Sequence, residues 1–163
     1  MSIHERVTAL YEAERHNIYS YVLYFGVPPG RAQELTQDTF LKLYLTMSKG
    51  EAIENPRAWL YKVAHNCALR FHQREHTFDG LGPGVDPADR LPDPEHAAME
   101  HQRRAVLLAA IRELSPQQRN CLHLRVAGLR YREIAEVIGI STSAVGEFLR
   151  RATVRLKGVL DGY

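Results

Sequence analysis

The sequence predicts an all-α protein made of two small helical domains. Apolar residues recur at the three- and four-residue spacing of amphipathic helices, and the alternation typical of β-strands persists nowhere along the 163 residues. Stretches rich in proline and glycine separate the periodic segments. The apolar content of 45% is that of a globular chain, long enough for one large domain or two small ones.

The distribution of charge indicates where the domains end. Residues 1–74 carry a net charge of +2, residues 75–95 carry −5 and residues 96–163 carry +5. The acidic segment also holds four of the eight prolines, and such a composition buries too little apolar surface to offset its ordering entropy. We therefore predict a flexible acidic linker over residues 75–95, between domains of residues 1–74 and 96–163. A long surface loop inside one domain is the alternative.

Three helices are predicted in the first domain. An apolar stripe follows residues 7–25 and ends in a segment, residues 26–30, whose glycines and prolines a helix does not easily cross. A second helix covers about residues 31–47. Asn55 and Pro56 then start a third helix, because asparagine can cap a helix and proline at the first helical position loses no hydrogen bond.

The second domain contains a helix-turn-helix pattern. Ser115 and Gln118 form a capping box that starts a helix ending at Gly128. A short helix over residues 131–138 and a final helix over residues 142 to about 160 follow. Within them, a small residue, a turn glycine and a β-branched residue have the spacing of a helix-turn-helix: Ala135, Gly139 and Val145. Cations line the last helix, although an ordinary helical hairpin with a solvated basic face would also carry them.

Three blocks of the chain resemble the extracytoplasmic-function (ECF) sigma factors, a small two-domain class of bacterial RNA polymerase initiation subunits. Residues 32–44 resemble the family segment that docks on the polymerase clamp. Residues 55–66 resemble the segment that melts the promoter and reads the −10 element. Residues 128–140 resemble the helix-turn-helix that reads the −35 element. Three blocks in register over nearly the whole length are far more specific than any one of them.

The resemblance implies a polymerase-binding face on the second helix, with these residues: Glu34, Leu35, Gln37, Asp38, Phe40 and Leu41. A mixed acidic and apolar helix face suits a partner helix, with apolar anchors inside a polar rim. The alternative is that some of these residues complete the core of the domain.

The resemblance also implies two DNA-binding sets. On the third helix, the predicted −10 contacts are Lys62, His65, Asn66 and Arg70, and Asn66 aligns with the family position that helps to hold a flipped base. On the last helix, the predicted −35 contacts are Thr142, Ser143, Ala144, Gly146, Glu147, Arg150 and Arg151. Gly146 and Glu147 depart from the family pattern, since a carboxylate repels phosphate and glycine costs about 1 kcal/mol of helix stability. These departures put −35 recognition in doubt.

Motifs for catalysis are not found, so we predict no enzyme, no catalytic residue and no cofactor. His72 and His76 have the spacing of a helical metal-ligand pair, but no third ligand accompanies them, so we predict surface histidines and no metal site. Cys67 and Cys121 match no metal or redox spacing.

The predicted partners are core RNA polymerase, promoter DNA and an anti-sigma factor. No apolar stretch approaches 18 residues and the N-terminus lacks the order of a signal peptide, so we predict a cytoplasmic protein without membrane insertion. Two alternatives remain open at this stage. One is a stand-alone dimeric helix-turn-helix regulator, and the other is a regulatory protein that keeps sigma architecture but has lost −35 reading.

Overall fold

The computed structural model describes residues 1–75 and 94–162, and within these ranges the chain is helical without any β-strand. The prediction of an all-α fold is confirmed. The helices are α1 (Ile3–Tyr24), α2 (Pro29–Ser48), α3 (Pro56–Glu75), α4 (Pro94–Glu113), α5 (Pro116–Val126), α6 (Tyr131–Ile138) and α7 (Thr142–Asp161). Most of the predicted linker, residues 76–93, lies outside the described residues, as does His76 of the predicted histidine pair.

Local hydrogen bonds explain where several helices begin and end. Ser2 caps α1 and Ser115 caps α5, each through a capping box, and the Ser141 hydroxyl accepts from the Ala144 amide at the start of α7. Gly139 ends α6 at φ +83°, in the left-handed region that favours glycine. The predicted helix starts after Ser115 and at Thr142 and the predicted helix end at Gly139 are therefore confirmed.

One long helix, α4, was not individually predicted. Its sequence carries alanines and arginines without a clear apolar stripe, so periodicity did not distinguish it. It packs against α7, where Arg155 of α7 pairs with Glu113 at 3.0 Å, and Ala110 near its C-terminus is buried. The burial of α4 residues therefore comes from the tertiary contact with α7, and the sequence pattern of α4 does not predict it.

The N-terminal half (residues 1–75) and the C-terminal half (residues 94–162) pack against each other. Helices α1, α2 and α3 form a bundle around Leu43 and Leu60, and α5, α6 and α7 pack around Leu124. Because α6 packs on α3 and α5 contacts α1, the two groups join in one continuous apolar cluster. The described residues thus form a single packed unit.

Polar contacts cross between the halves at the start of α3. The Arg57 guanidinium donates to the backbone carbonyls of Ala127 and Gly128, at the turn between α5 and α6. The same side chain pairs with Glu14 of α1, with Nε 2.6 Å from Oε1. Glu14 is buried and also accepts from the Tyr61 hydroxyl at 3.0 Å. One guanidinium therefore joins α1, α3 and the α5–α6 turn.

Candidate polymerase- and DNA-binding surfaces

The acidic face of α2 consists of Glu34, Gln37 and Asp38, and all three side chains are exposed. Leu41, which is 55% exposed, extends this surface toward the C-terminus of the helix. Arg31 pairs with Glu34 at 2.7 Å, which leaves the other polar groups of the face directed to solvent. The face has the acidic and apolar composition that the sequence predicts for binding a partner helix.

Two residues that were predicted on this face belong instead to the core. Leu35 and Phe40 are buried, with 6% and 5% of their surface exposed. The Phe40 ring meets Tyr11 of α1 edge to face, with the ring centroids 5.1 Å apart. Both positions fall on the stripe that α2 turns toward α1 and α3, so neither side chain is available on the acidic face in the packed structure.

The −10 row consists of Lys62, Asn66 and Arg70, which lie one turn apart on α3 and are all exposed. Arg70 donates to the Asn66 carbonyl at 3.4 Å, and Arg70 and Lys42 each lie within about 3.7 Å of the Cys67 sulfur. A cleft of about 400 Å³ between α2 and α3 is lined by Lys42, Arg70 and Asp38, among others. It connects the acidic face to the −10 row.

His65 was predicted among the −10 contacts, and the structure places it inside the protein. It is 4% exposed, its Nδ1 lies 2.6 Å from the Tyr21 hydroxyl, and its ring meets Phe25 edge to face. Burial lowers the pKa of His65 to about 4, so the ring is neutral at pH 7. Since α1 covers the side of α3 on which His65 lies, the ring is not accessible to DNA in the packed structure.

His72 is also buried rather than a surface residue as predicted. Its Nε2 makes a hydrogen bond with the Phe25 carbonyl, and the two rings stack at 28° with centroids 5.4 Å apart. No group of three or more metal-ligating side chains occurs within residues 1–75 and 94–162. In the part of the chain that the structure describes, no helix is both long and apolar enough to cross a membrane.

Helices α6 and α7 have helix-turn-helix geometry. Ala135 and Val145 are buried where the two helices meet, and Gly139 makes the turn between them. Most of the predicted −35 contacts lie on the outer side: Thr142, Ser143, Arg150 and Arg151 are exposed, and Ala144, Gly146 and Glu147 are half-buried. The first turn of α7 is therefore accessible to a DNA groove.

Glu147 does not stand alone on α7. It accepts from Arg150 at 2.8 Å and from Arg151 at 2.9 Å. Hydrogen bonds from Arg150 and Arg151 lower the pKa of Glu147 to about 2, so the carboxylate is charged at neutral pH. The charge that would repel phosphate is thus compensated, while both arginines pair with a carboxylate that DNA phosphates would have to displace.

The residues that join the halves were not predicted. The sequence pattern assigns no contact between the halves to Arg57 and predicts Asn55 only as a cap. In the structure, Asn55 caps α3 through the Ala58 amide and also donates to Glu133 of α6 at 2.5 Å. His123 of α5 packs against the rings of Tyr21 and Tyr24. Such contacts join positions more than 70 residues apart in sequence, and periodicity gives no signal for them.

Two family descriptions match the chain. Residues 10–77 match "Sigma-70 region 2" and residues 104–156 match "Sigma-70, region 4". The ECF RNA polymerase sigma factor BldN of Streptomyces coelicolor is 31% identical over 157 residues, which is 93% of this chain and 59% of that protein. The RNA polymerase sigma factor YlaC of Bacillus subtilis is 27% identical over 161 residues, which is 96% of this chain and 93% of that protein.

Solved structures share the fold. CnrH in complex with the cytosolic domain of CnrY superposes with a TM-score of 0.61 at 22% identity, covering 98% of this chain and 90% of that chain. The sigma factor RpoE of Bartonella quintana, in complex with the anti-sigma factor NepR, gives 0.65 at 22% identity, covering 94% and 95%. A region 2 bundle and a region 4 helix-turn-helix together define a sigma-70-type protein. Within that family, the chain belongs to the ECF sigma factors.

Proposed function

We propose that this protein directs core RNA polymerase to specific promoters as an ECF sigma factor and has no catalytic activity of its own. The observation that carries the proposal is the exposure of the acidic face of α2, the −10 row of α3 and the outer side of α7 on one chain. Polymerase then supplies the chemistry, and the sigma factor supplies the selection of the start site.

The acidic face of α2 is the proposed polymerase contact. Carboxylates and an amide beside the exposed Leu41, with Tyr44 39% exposed further along the helix, form a polar rim with apolar anchors. We infer that the polymerase surface that binds it is basic, because complementary charge favours encounter and register.

The −10 row and the outer side of α7 are the proposed promoter contacts. Asn66 has an amide that can pair with a base edge, and Lys62 and Arg70 provide cations for the strand on either side of it. On α7, the first turn would reach base edges while Arg150 and Arg151 approach phosphates.

Promoter binding requires the two halves to separate. Elements centred near −10 and −35 lie about 25 base pairs apart, or about 85 Å at 3.4 Å per base pair. In the packed structure α6 lies directly on α3, so the −10 row and α7 belong to one compact unit. We infer that the packed form is the state free of polymerase and that the halves move apart on the promoter.

We further propose that an anti-sigma factor regulates the chain and that the protein acts in the cytoplasm, where polymerase and promoter DNA are found. The family resemblance supports both statements. Formation of a stable complex between the purified chain and a candidate anti-sigma factor, with loss of transcription, is the expected outcome.

Run-off transcription with purified core polymerase tests the proposal. We expect promoter-dependent transcripts with the wild-type chain and a strong loss with the double variant Glu34→Ala/Asp38→Ala. The matched control is Glu12→Ala/Glu136→Ala, which removes two exposed carboxylates outside the acidic face and should leave transcription unchanged. Tight, sequence-specific binding by a dimer of the chain without polymerase would instead favour a stand-alone regulator.

A second candidate function follows from the ion pairs of Glu147. Because this carboxylate engages both Arg150 and Arg151, the chain could retain sigma architecture while reading the −35 element weakly or not at all. Transcription that does not change when the −35 sequence is scrambled would support this candidate.

A further inference from the structure

A cavity of about 400 Å³ lies where the two halves meet. The N-terminal half contributes Tyr24, Phe25, Leu69 and His72 to its walls, and α5 contributes Arg119 and Asn120. Sites for small molecules occur preferentially at such junctions, in cavities of about 300–1,000 Å³ that are mostly apolar with a few polar groups. The size and location of this cavity are those of a ligand site.

Arg119 determines the charge of the cavity. It is the only lysine or arginine among the described lining residues, which include no aspartate or glutamate. In the part of the chain that the structure describes, none of the hydrogen bonds and ion pairs involves its guanidinium. Burial lowers the pKa of Arg119, because the partly buried guanidinium has lost some of its hydration. His65, whose pKa is about 4, adds no positive charge at pH 7.

The N-terminal half contributes an aromatic wall to the cavity. The rings of Phe25 and His72 stack on each other, and Tyr24, the last residue of α1, also lines the cavity. An aromatic ring packs favourably against such a surface. The side-chain amide of Asn120 stands next to Arg119 in sequence and offers a further hydrogen-bond donor.

We propose that this cavity is a binding site for a small organic anion with a flat apolar body, of the class of aromatic carboxylates. The guanidinium of Arg119 receives the carboxylate, for which its planar fork is suited, and the aromatic wall receives the ring.

Binding at this site holds the halves together, since the ligand contacts α3 on one side and α5 on the other. A ligand that binds only the packed form raises the ratio of packed to separated molecules about 11-fold when its free concentration is ten times Kd. The regulatory consequence rests on the proposed function: such a ligand reduces promoter-bound sigma factor and therefore transcription.

The site is tested on the free full-length chain by titration with 2-naphthoate, followed by ¹H–¹⁵N correlation spectra. We expect saturable binding, with shifts of amide signals around Arg119 and Leu69. The neutral analogue 2-naphthamide should bind about tenfold or more weakly, because it lacks the charge-assisted bond. Equal affinity for the two probes, or no saturable binding in the millimolar range, would overturn the proposal.

Two variants and a control sharpen the test. Arg119→Gln should weaken naphthoate binding about tenfold or more and leave naphthamide binding unchanged. Leu69→Trp, at the half-exposed rim, should weaken both probes by filling the mouth of the cavity. Arg112→Gln, an exposed arginine of α4 that does not line the cavity, should bind like the wild type. Wild-type affinity in both cavity variants would contradict the assignment.

The regulatory consequence has its own readout. In run-off transcription, 2-naphthoate should lower the yield of the wild-type chain and leave Arg119→Gln unaffected, with both chains equally active without the probe. Probe binding is measured without polymerase, so its result does not depend on whether the protein acts as a sigma factor. A failure of the binding site can therefore be distinguished from a failure of the proposed function. Saturable binding that leaves the wild-type yield unchanged would overturn the regulatory consequence.

Discussion

The carboxylate of Glu147 forms ion pairs with two arginines of α7. Its hydrogen bonds to Arg150 and Arg151 hold its pKa at about 2, below the ordinary 4.5. Because folding lowers the pKa of Glu147, its ion pairs are fully formed at pH values above 4.5. They are lost only as the pH falls from there toward 2. Between pH 5 and 8 both arginines therefore remain engaged.

Replacing this carboxylate should strengthen DNA binding. In Glu147→Gln the two guanidiniums become available for phosphate, so we expect tighter holoenzyme binding and a slope of log K against log salt that is steeper by about 1–2. The measurement is a salt titration of promoter binding. Glu136→Gln, an exposed carboxylate on α6 without a recorded ion pair in the described residues, is the control. An unchanged slope in Glu147→Gln would show that these arginines do not reach phosphate.

Two histidines make the folded protein sensitive to acid. Burial lowers the pKa of both His65 and His123 to about 4, whereas each is near 6.5 when unfolded. The unfolded chain therefore binds more protons between pH 6.5 and 4, and the free energy of unfolding falls as the pH falls through this window. At pH 7 both rings are neutral in the folded and unfolded chain, so protonation of these histidines takes almost nothing from the free energy of unfolding.

Urea unfolding at several pH values checks this dependence. We expect a loss of up to about 2.7 kcal/mol per pH unit from the two histidines within the window. His123→Phe should about halve that slope, because it removes one of the two titrating rings and keeps an aromatic side chain against Tyr21. A flat profile for the wild type would contradict the burial of both rings.

At the scale of helices, two glycines of the helix-turn-helix respond oppositely to alanine. Gly146 lies within α7 with ordinary backbone angles, and an added Cβ would meet Tyr131 at 3.7 Å, a normal contact. Gly139 has φ +83°, which an alanine adopts only with strain. Gly146→Ala should therefore stabilise by about 1 kcal/mol and raise Tm by about 2–4 °C, and Gly139→Ala should lower Tm. A lower Tm for Gly146→Ala in thermal unfolding followed by circular dichroism would contradict this account.

We expect a larger loss of stability from removing the Arg57 side chain than from the glycine replacements. Arg57→Ala leaves the buried Glu14 carboxylate with the Tyr61 hydroxyl and removes the bonds to the α5–α6 turn. Breaking such a pair costs about 3–5 kcal/mol when fully buried, and the 30% exposure of the Arg57 side chain reduces our expectation to about 2–3 kcal/mol. Urea unfolding measures it, with Arg74→Ala, an exposed arginine of the same helix, as the control.

Helices with strong local signals could be predicted from the sequence, and contacts between distant segments could not. Ser115 and Gly139 determine helix ends through hydrogen bonds and backbone angles within a few residues. These helix ends could therefore be predicted from the sequence. The burial of His65 depends on α1, and the role of Arg57 depends on a turn 70 residues away. For the same reason, Phe40 was interpreted as a polymerase contact, although it completes the core.

At the scale of the molecule, the packed arrangement separates two tasks. The acidic face and the −10 row are exposed while the halves remain together, so an encounter with polymerase does not require prior opening. Simultaneous contact with −10 and −35 does require it. The hydrogen bonds that cross between the halves, from Arg57 to Ala127 and Gly128 and from Asn55 to Glu133, are few and partly exposed. Apolar contacts of α3 with α6 and of α1 with α5 accompany them, so polymerase and DNA contacts must offset the loss of both.

The distance between the halves tests this account most directly. Spin labels at Glu12→Cys on α1 and Thr153→Cys on α7 occupy exposed positions, while the native Cys67 and Cys121 are buried. Double electron–electron resonance should give one short, narrow distribution for the free chain. In the complex with core polymerase and promoter, the distribution should lengthen by tens of ångströms, toward the roughly 85 Å between the two elements. The same distance in both states, or a broad and long distribution in the free chain, would contradict a packed sigma factor that opens on its promoter.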